Sequence, residues 1–148
     1  MKLEDEIKSN FRNNNHKALV NIYYTNNLLA DQFVAMLKNY GLAAPQFNVL
    51  RILRGQLPNA VSIGLIKTRM IDKNSDVSRI IDRLYKKGLV ERKECDADRR
   101  QKDVFISKKG IALLEKMAKC EEQQDKLLAN LTKKEVDQLN TLLDKIRE

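Results

Sequence analysis

The stretch from Asn74 to Gly110 reads NSDVSRIIDRLYKKGLVERKECDADRRQKDVFISKKG, and its pattern decides the fold. It predicts a helix with a basic outer face, followed by two short strands that are joined by an arginine-bearing turn. A helix is narrow enough to enter a DNA major groove, and a hairpin beside it reaches the adjacent backbone. The stretch therefore indicates a protein that binds double-stranded DNA.

The helix at the start of this stretch has an apolar face and a basic face. Its apolar stripe recurs at i, i+3, i+4 and i+7 and consists of Val77, Ile80, Ile81 and Leu84. At about 100° per residue, the opposite face holds Ser75, Arg79, Asp82, Arg83 and Lys86. Because Ser62 predicts the cap of a short preceding helix, the two helices and the turn at 71–74 predict a helix-turn-helix.

The exposed face predicts which side chains contact DNA. Base contacts are expected from Ser75, Ser78, Arg79 and Arg83, since the arginine fork matches O6 and N7 of guanine. Phosphate contacts are expected from Lys67, Lys73 and Lys86, because such contacts position a protein without reading the sequence. Asp82 is expected to orient Arg79 or Arg83.

A hairpin is predicted after the helix, with strands at Leu89–Lys93 and Val104–Ile106. Its exposed polar tip contains Asp98, Arg99 and Arg100. Arginines there neutralise phosphates or enter a narrow minor groove, where the potential is most negative. Asp98 is expected to pair with Arg100, and either arginine is a candidate for the DNA contact. The hairpin therefore predicts the wing of a winged helix-turn-helix.

The positive charge of the chain is concentrated in this region. Lys and Arg number 28 against 20 Asp and Glu, which gives a formal net charge of +8. Between Lys67 and Lys109 there are 14 basic and 8 acidic residues, a net charge of +6 in less than a third of the chain. An excess of this kind favours a polyanionic partner such as nucleic acid.

Other classes of function find little support in the sequence. No apolar run approaches the ~18 residues of a membrane span, and we expect no membrane interaction and a cytoplasmic, reducing location. Cys95 and Cys120 form neither a disulfide framework nor a metal-ligand cluster. Nucleophile, phosphate-loop and paired-carboxylate arrangements are absent, so we expect neither an enzyme nor a bound metal or cofactor.

Helices are also predicted before the winged region. The first runs from about Asn14 to Asn39 and stops at Gly41, a residue that suits the end of a helix. Pro45 fits the first turn of the second helix, because its missing N–H has no intrahelical partner there.

The residues after the winged region predict two further helices. Ser107 is expected to cap a long helix that extends to Leu127 and Leu128. Thr132 and Glu135 spell a capping box at the start of a last helix. In that helix, apolar residues recur every three or four positions, at Val136, Leu139, Leu143 and Ile146.

The order of these motifs resembles the MarR family of winged helix-turn-helix regulators. The family pattern has a D-x-R at the wing, a strand that ends in Thr or Ser, and a Gly at the start of the next helix. This chain supplies Asp98, Arg100, Ser107 and Gly110 at those places, after the sequence SRIIDRLYKKGLVER at 78–92. The resemblance spans nearly the whole chain, from the long first helix to the C-terminal helix pair.

The resemblance implies a mainly α fold with a small β-hairpin (α+β), in which N- and C-terminal helices build the interface of a homodimer. It divides the single chain 1–148 into a winged DNA-binding lobe at about 45–110 and dimerisation helices at about 1–40 and 111–148. Two-fold symmetry then predicts a pseudo-palindromic operator with half-site centres about 10 bp apart. The apolar stripe of the last helix has one alternative role, which is packing within its own chain.

The resemblance also implies a small-molecule effector. Many relatives bind small aromatic or phenolic ligands between the DNA-binding lobe and the dimer helices, which places a candidate pocket near the first helix at His16, Tyr23, Tyr24 and Tyr40. Interface packing is the alternative role of these side chains. Other relatives sense peroxide through a cysteine near the N-terminus, and this chain has none before Cys95. Cys95 is expected in the exposed turn, and Cys120 as a small core or interface residue.

Two functions of different classes follow from the sequence. The first is a sequence-specific regulator of transcription, most often a repressor in families of this kind, that an effector releases from DNA. The alternative is an architectural DNA-binding protein without base specificity or effector. A specific affinity about 10³ times the non-specific affinity indicates the first, and a ratio near unity the second. A third candidate is a module whose basic helix binds an acidic protein, which a lack of DNA binding at low salt would support.

Overall fold

A computed structural model describes residues 2–94 and 102–148 of the chain. In chain order these form α1 (Leu3–Ile7), α2 (Asn14–Lys38), α3 (Ala44–Gly55), α4 (Ile63–Arg69), α5 (Val77–Lys86), β1 (Val90–Glu94), β2 (Lys102–Ile106), α6 (Lys108–Lys116), α7 (Ala118–Asp125), a 3₁₀ turn (Lys126–Leu128) and α8 (Lys133–Ile146). The prediction of a mainly α fold with one small β-hairpin is confirmed. Within the described residues, no helix has both the length and the hydrophobicity that a bilayer crossing requires.

Local signals in the sequence set the ends of the first helices. The side chain of Asn13 accepts the backbone N–H of His16 at 2.9 Å, and α2 therefore begins at 14. The helix ends three residues before Gly41, which has a φ of 66°. Pro45 lies in the first turn of α3, and the hydroxyl of Ser62 caps α4 by accepting a backbone N–H at 3.2 Å. The predicted bounds of these helices are confirmed.

Two features of the helices differ from the prediction. A short helix α1 precedes α2, and its Glu4 forms an ion pair with Lys17 of α2. The long helix predicted after β2 is interrupted at Met117, whose N–H contacts the carbonyl oxygens three and four residues earlier. A shared bond of this kind tightens the turn towards 3₁₀ geometry, so α6 and α7 are separate segments.

The hydrophobic core lies around α3, which packs against α2, α4, α5, α6 and β2. Its fully buried side chains include Leu50, Leu53, Ile66, Ile81, Leu84 and Leu114. Leu37 of α2 and Cys120 of α7 belong to the same cluster. The winged region and the helices beside it therefore share one core, and the prediction of Cys120 as a small core residue is confirmed.

The two strands form an antiparallel hairpin in which Val90 lies opposite Ile106 and Glu94 lies opposite Lys102. β1 begins one residue later than predicted, and β2 begins two residues earlier. Val61, in the loop before α4, exchanges two backbone hydrogen bonds with Val104, at 2.9 and 2.8 Å. This bridge attaches the helix-turn-helix to the hairpin.

Gly88, Leu89, Ser107 and Gly110 meet in a tight contact that we call the wing junction. The Ser107 hydroxyl donates to the Gly88 carbonyl at 2.7 Å and accepts the Gly110 N–H at 3.0 Å. The Ser107 N–H donates to the Leu89 carbonyl at 3.1 Å. A Cβ on Gly110 would lie only 2.3 Å from that carbonyl oxygen. The junction thus ties the residues that follow α5 to the start of α6.

Replacing Gly110 with Ala is expected to lower the free energy of unfolding by about 1–3 kcal/mol, because overpacking of a close contact forces the backbone to move. Urea denaturation measures the change. Gly55→Ala is the matched control, since nothing lies within 4 Å of a Cβ at this helical glycine. It should leave stability unchanged or raise it by up to ~1 kcal/mol. Equal losses in the two variants would contradict the close packing of Gly110.

Candidate nucleic-acid interface

Helix α5 presents one face to the core and the other to solvent. Val77, Ile81 and Leu84 are buried, and Ile80 is partly buried against the same cluster. These residues pack against α3 and α4, so the predicted apolar stripe is confirmed. The exposed face carries Ser78, Arg79, Asp82, Arg83 and Lys86. Three cations and one carboxylate therefore give this face a positive potential.

Ser75 does not lie on α5, and its predicted place on that helix is wrong. The helix begins at Val77 because the carboxylate of Asp76 accepts the Arg79 N–H at 3.1 Å and caps it. Ser75 precedes the cap, and its own N–H donates to the Asp72 carbonyl at 3.3 Å. The Ser75 hydroxyl is buried and has no hydrogen-bond partner among the described residues. Ser75 is therefore not positioned as a base-reading side chain.

Asp82 pairs with a residue of the hairpin, and the expectation that it orients Arg79 or Arg83 is wrong. Its Oδ1 forms an ion pair with Nη2 of Arg92. The Cζ atom of Arg92 also lies 4.7 Å from the centroid of the Tyr85 ring, within range of a cation–π contact. β1 packs against α5, and this brings Arg92 to the carboxylate.

Arg92 is a functional candidate that the sequence analysis did not single out. The alternation of side chains along the predicted strand could have indicated the side that Arg92 faces. Val90 is buried, and side chains two residues apart in a strand point to the same face. Arg92 therefore faces the same side as Val90.

The lysines that were predicted to contact phosphates lie at exposed positions around the helix-turn-helix. Lys67 is exposed on α4, and Lys86 is exposed in the last turn of α5. The Lys73 ammonium group donates to the Thr68 carbonyl at 2.6 Å. It satisfies one of the carbonyl groups that the end of α4 leaves without an intrahelical partner.

The predicted wing residues Asp98, Arg99 and Arg100, together with Cys95, lie outside the described residues. The described part of the hairpin ends at Glu94 and resumes at Lys102. The predictions for these four residues stay predictions.

A cleft of about 400 Å³ lies where the ends of α2 and α5 meet α6. It is lined by Tyr40, Gly41, Lys87, Leu89, Lys109, Ala112, Leu113 and Lys116. The Lys87 ammonium donates to the Gly41 carbonyl, and the Lys109 ammonium donates to the Lys87 carbonyl at 2.9 Å. The cleft thus combines apolar side chains with ammonium groups, and one of its lysines follows directly on α5.

Of the predicted pocket residues, Tyr40 lines this cleft, whereas His16, Tyr23 and Tyr24 lie elsewhere along α2. Tyr23 is 66% exposed, and the His16 ring packs edge-on against Phe11 with centroids 5.8 Å apart. A hydrogen bond to the Glu6 carboxylate raises the pKa of the Tyr24 hydroxyl. These contacts are those of a partly exposed helix surface.

The last helix has an apolar stripe that the described part of the chain leaves partly exposed. The predicted capping box is confirmed, since the Thr132 N–H donates to Glu135 Oε2 at 2.8 Å and the Glu135 N–H donates to the Thr132 hydroxyl at 3.4 Å. These bonds lower the pKa of the Glu135 carboxyl. No residue of α8 is buried, and Leu139, Leu142 and Ile146 are exposed. Val136 and Leu143 are half-buried, so the described part of the chain covers this stripe only in part.

Comparison with known proteins finds one family that part of the chain resembles. The model of the MarR family matches residues 42–102, which include α3, α4, α5 and β1. Over this segment the chain is similar to the MarR family. The members of this family are transcriptional regulators. One curated MarR-like relative is the HTH-type transcriptional regulator PecS of Dickeya dadantii (strain 3937), 28% identical over 112 residues that cover 74% of this chain and 67% of PecS.

Solved structures share the MarR fold over most of the chain. AbsC, a MarR family transcriptional regulator from Streptomyces coelicolor, is 20% identical with a TM-score of 0.81, over 94% of this chain and 96% of AbsC. MepR of S. aureus, solved in a complex with DNA, is 19% identical with a TM-score of 0.76, over 84% and 92%. RdhR-CbdbA1625, an organohalide-sensing regulator solved with 2,4-dichlorophenol, is 22% identical with a TM-score of 0.79, over 90% and 79%. At these identities the likeness concerns the fold.

Proposed function

We propose that this chain is a member of the MarR family and a sequence-specific regulator, a repressor, that binds a pseudo-palindromic operator as a homodimer. The observation that carries the proposal is the exposed face of α5, where Arg79, Arg83 and Lys86 project from a helix whose other face is buried. In helix-turn-helix proteins the second helix lies in the major groove, and α5 holds that place here. The MepR complex with DNA supports the same use of the fold. The proposed DNA-binding lobe extends from about 45 to 110.

The exposed side chains have different proposed roles. Ser78, Arg79 and Arg83 read base edges, since hydroxyl groups and arginine forks match the donors and acceptors of the major groove. Lys67, Lys73 and Lys86 contact phosphates and set the position of the protein on the duplex. Asp98, Arg99 and Arg100 belong to the proposed wing contact. Because the Ser75 hydroxyl is buried outside α5, Ser75 is not part of the proposal.

Replacing Arg79 or Arg83 with Ala is expected to cost about 1–3 kcal/mol of binding and to relax base preference at one position. Replacing Lys86 with Ala should weaken binding to all sequences about equally and reduce the slope of log K against log salt by about 1. Fluorescence anisotropy on the selected operator and on random duplex, at several salt concentrations, measures both effects. Equal losses on operator and random DNA for the arginine variants would contradict their role in reading bases.

The same measurement separates the proposed regulator from an architectural protein. A regulator should bind its operator about 10³ times or more tighter than random DNA at physiological salt. An architectural protein should give a ratio near unity, because it uses phosphate contacts and DNA deformability alone.

The homodimer of this proposal is built by α8 together with the exposed apolar side chains of α2. In α2, Leu19, Tyr23, Leu28 and Val34 are exposed, and in α8 the exposed residues include Leu139, Leu142 and Ile146. Apolar surface of this kind marks an interaction site when it is contiguous. A second copy offers the same surface, so a two-fold contact covers both at once. The proposed dimerisation regions are about 1–40 and 111–148.

Replacing Leu139 with Glu is expected to convert the dimer into a monomer, because a carboxylate would enter an apolar interface without a partner. Sedimentation velocity measures the change, and operator affinity should fall with it. Thr141→Glu is the matched control, since its side chain lies about 160° away from Leu139 around α8 at 100° per residue. A Leu139→Glu protein that stays dimeric would show that α8 is not in the interface.

The proposed effector is a small aromatic or phenolic molecule, and its proposed site is the cleft beside Tyr40. The cleft offers apolar contacts at Leu89 and Leu113 and ammonium groups that suit a phenolate or carboxylate. Lys87 links the cleft to α5, because it follows the last residue of the helix and contacts Gly41. An anion that binds Lys87 would compete with that contact and shift the end of α5. His16, Tyr23 and Tyr24 stand as the other candidate site.

The two candidate effector sites can be distinguished with 2,4-dichlorophenol as the probe. A ligand at one hundred times its Kd stabilises the folded protein by about 2.7 kcal/mol, which raises the Tm. Tyr40→Ala should abolish the rise in Tm, and Tyr23→Ala should leave it intact. The opposite pattern would place the site on α2. Absence of any rise in Tm in the native protein would contradict the proposed phenolic ligand.

A further inference from the structure

Asp82 is an acidic residue on a face that is otherwise basic. Its side chain is 59% exposed, on the same face as Arg79, Arg83 and Lys86. A carboxylate near DNA phosphates is repelled, so an acidic side chain in this place needs a compensating charge. On the proposed function this face lies in the major groove.

Arg92 supplies that charge from outside the helix. Its guanidinium group contacts Oδ1 of Asp82 and lies over the Tyr85 ring, which leaves its side chain only 25% exposed. Arg92 pairs in the hairpin with Val104, a fully buried residue that is bonded to Val61. The strand pairing fixes the backbone of Arg92, while the Tyr85 ring and the Asp82 carboxylate contact its guanidinium group.

Arg92 contacts Oδ1 of Asp82. Within the described part of the chain, Oδ2 of Asp82 is therefore available as an acceptor. A carboxylate has no proton to donate at neutral pH, so it can pair only with a donor. In the major groove, guanine presents two acceptors and thymine an acceptor with a methyl group. Adenine presents a donor next to the acceptor N7, while cytosine presents the N4 amino donor. Cytosine is the base that a fixed carboxylate favours.

We propose that Asp82, held by Arg92, accepts a hydrogen bond from the N4 amino group of a cytosine and so selects one C·G pair in each half-site. Asp82 is the specificity-determining residue. Arg92 is a positioning residue, because it acts through Asp82 by neutralising and orienting the carboxylate. This inference rests on the proposed function, since it requires α5 to lie in the major groove.

The test is selection of bound duplexes from a random-sequence library with the full-length protein and its variants. The native protein should enrich a motif with cytosine at one position of each half-site. Asp82→Asn should replace that cytosine with adenine, because an amide both donates and accepts and pairs with N6 and N7 of adenine. Asp82→Ala should lose about ten-fold of the discrimination at that position.

The Arg92 variants test the positioning role. Arg92→Gln should reduce the discrimination at the position that Asp82 reads. The double variant should lose no more than Asp82→Ala alone, since Arg92 acts only through Asp82. Arg92→Lys keeps the charge without the fork and should recover part of the preference. The matched control is Arg51→Gln, which removes the ion pair between Arg51 of α3 and Glu121 of α7 and should leave the motif unchanged.

The possible outcomes separate the inference from the proposed function. If the native protein enriches a motif that Asp82→Asn, Asp82→Ala and Arg92→Gln leave intact, the inference is wrong and the proposed function stands. A uniform rise in affinity for all sequences in Asp82→Asn would likewise show a charge effect alone. If the native protein enriches no motif, the proposed function fails and the inference with it. Asp82 is exposed, so its variants test the inference even if Arg92→Gln does not fold.

Discussion

The close packing of Gly110 against the carbonyl oxygen of Leu89 is the constraint on which the winged region depends. At this point the chain leaving α5, the start of the hairpin and the first turn of α6 occupy adjacent positions. Ser107 satisfies hydrogen-bonding groups of all three through its hydroxyl and its N–H. A helix that reads DNA needs a fixed direction. The wing junction fixes the C-terminal end of α5. The buried apolar stripe of α5 fixes the rest of that helix.

The sequence predicted the helices well where their ends depend on residues a few positions apart. The glycine at 41 and the capping box at Thr132 act over three or four residues, and a linear pattern contains all of that information. Ser75 shows the limit of such reasoning, because Ser75 and Asp76 are both good caps. The Asp76 carboxylate reaches the Arg79 N–H, so the helix begins one residue after Asp76 and Ser75 lies outside it.

The partner of Asp82 was not predictable in the same way. Arg92 lies ten residues further along the chain, on a strand whose angle to α5 is set by packing of Val90 and Val104 in the core. Contacts within the fold also determine how much of the positive charge of the winged region faces DNA. Lys73, Lys87 and Lys109 donate to backbone carbonyls at or near helix ends. The sequence count of cations in this region therefore overstates the number that face DNA without another partner.

Helix α8 connects folding with the proposed assembly. It has 14 residues and a capping box, yet none of its residues is buried in the described chain. Isolated helices of fewer than about 12–15 residues are marginal in water, and most helical stability in proteins comes from packing of an apolar face. A capping box adds only about 1 kcal/mol. Val136 and Leu143 are half-buried, and the described contacts therefore supply only part of the free energy that keeps α8 helical. In the proposed dimer the partner supplies the rest, and dimerisation couples to the folding of α8.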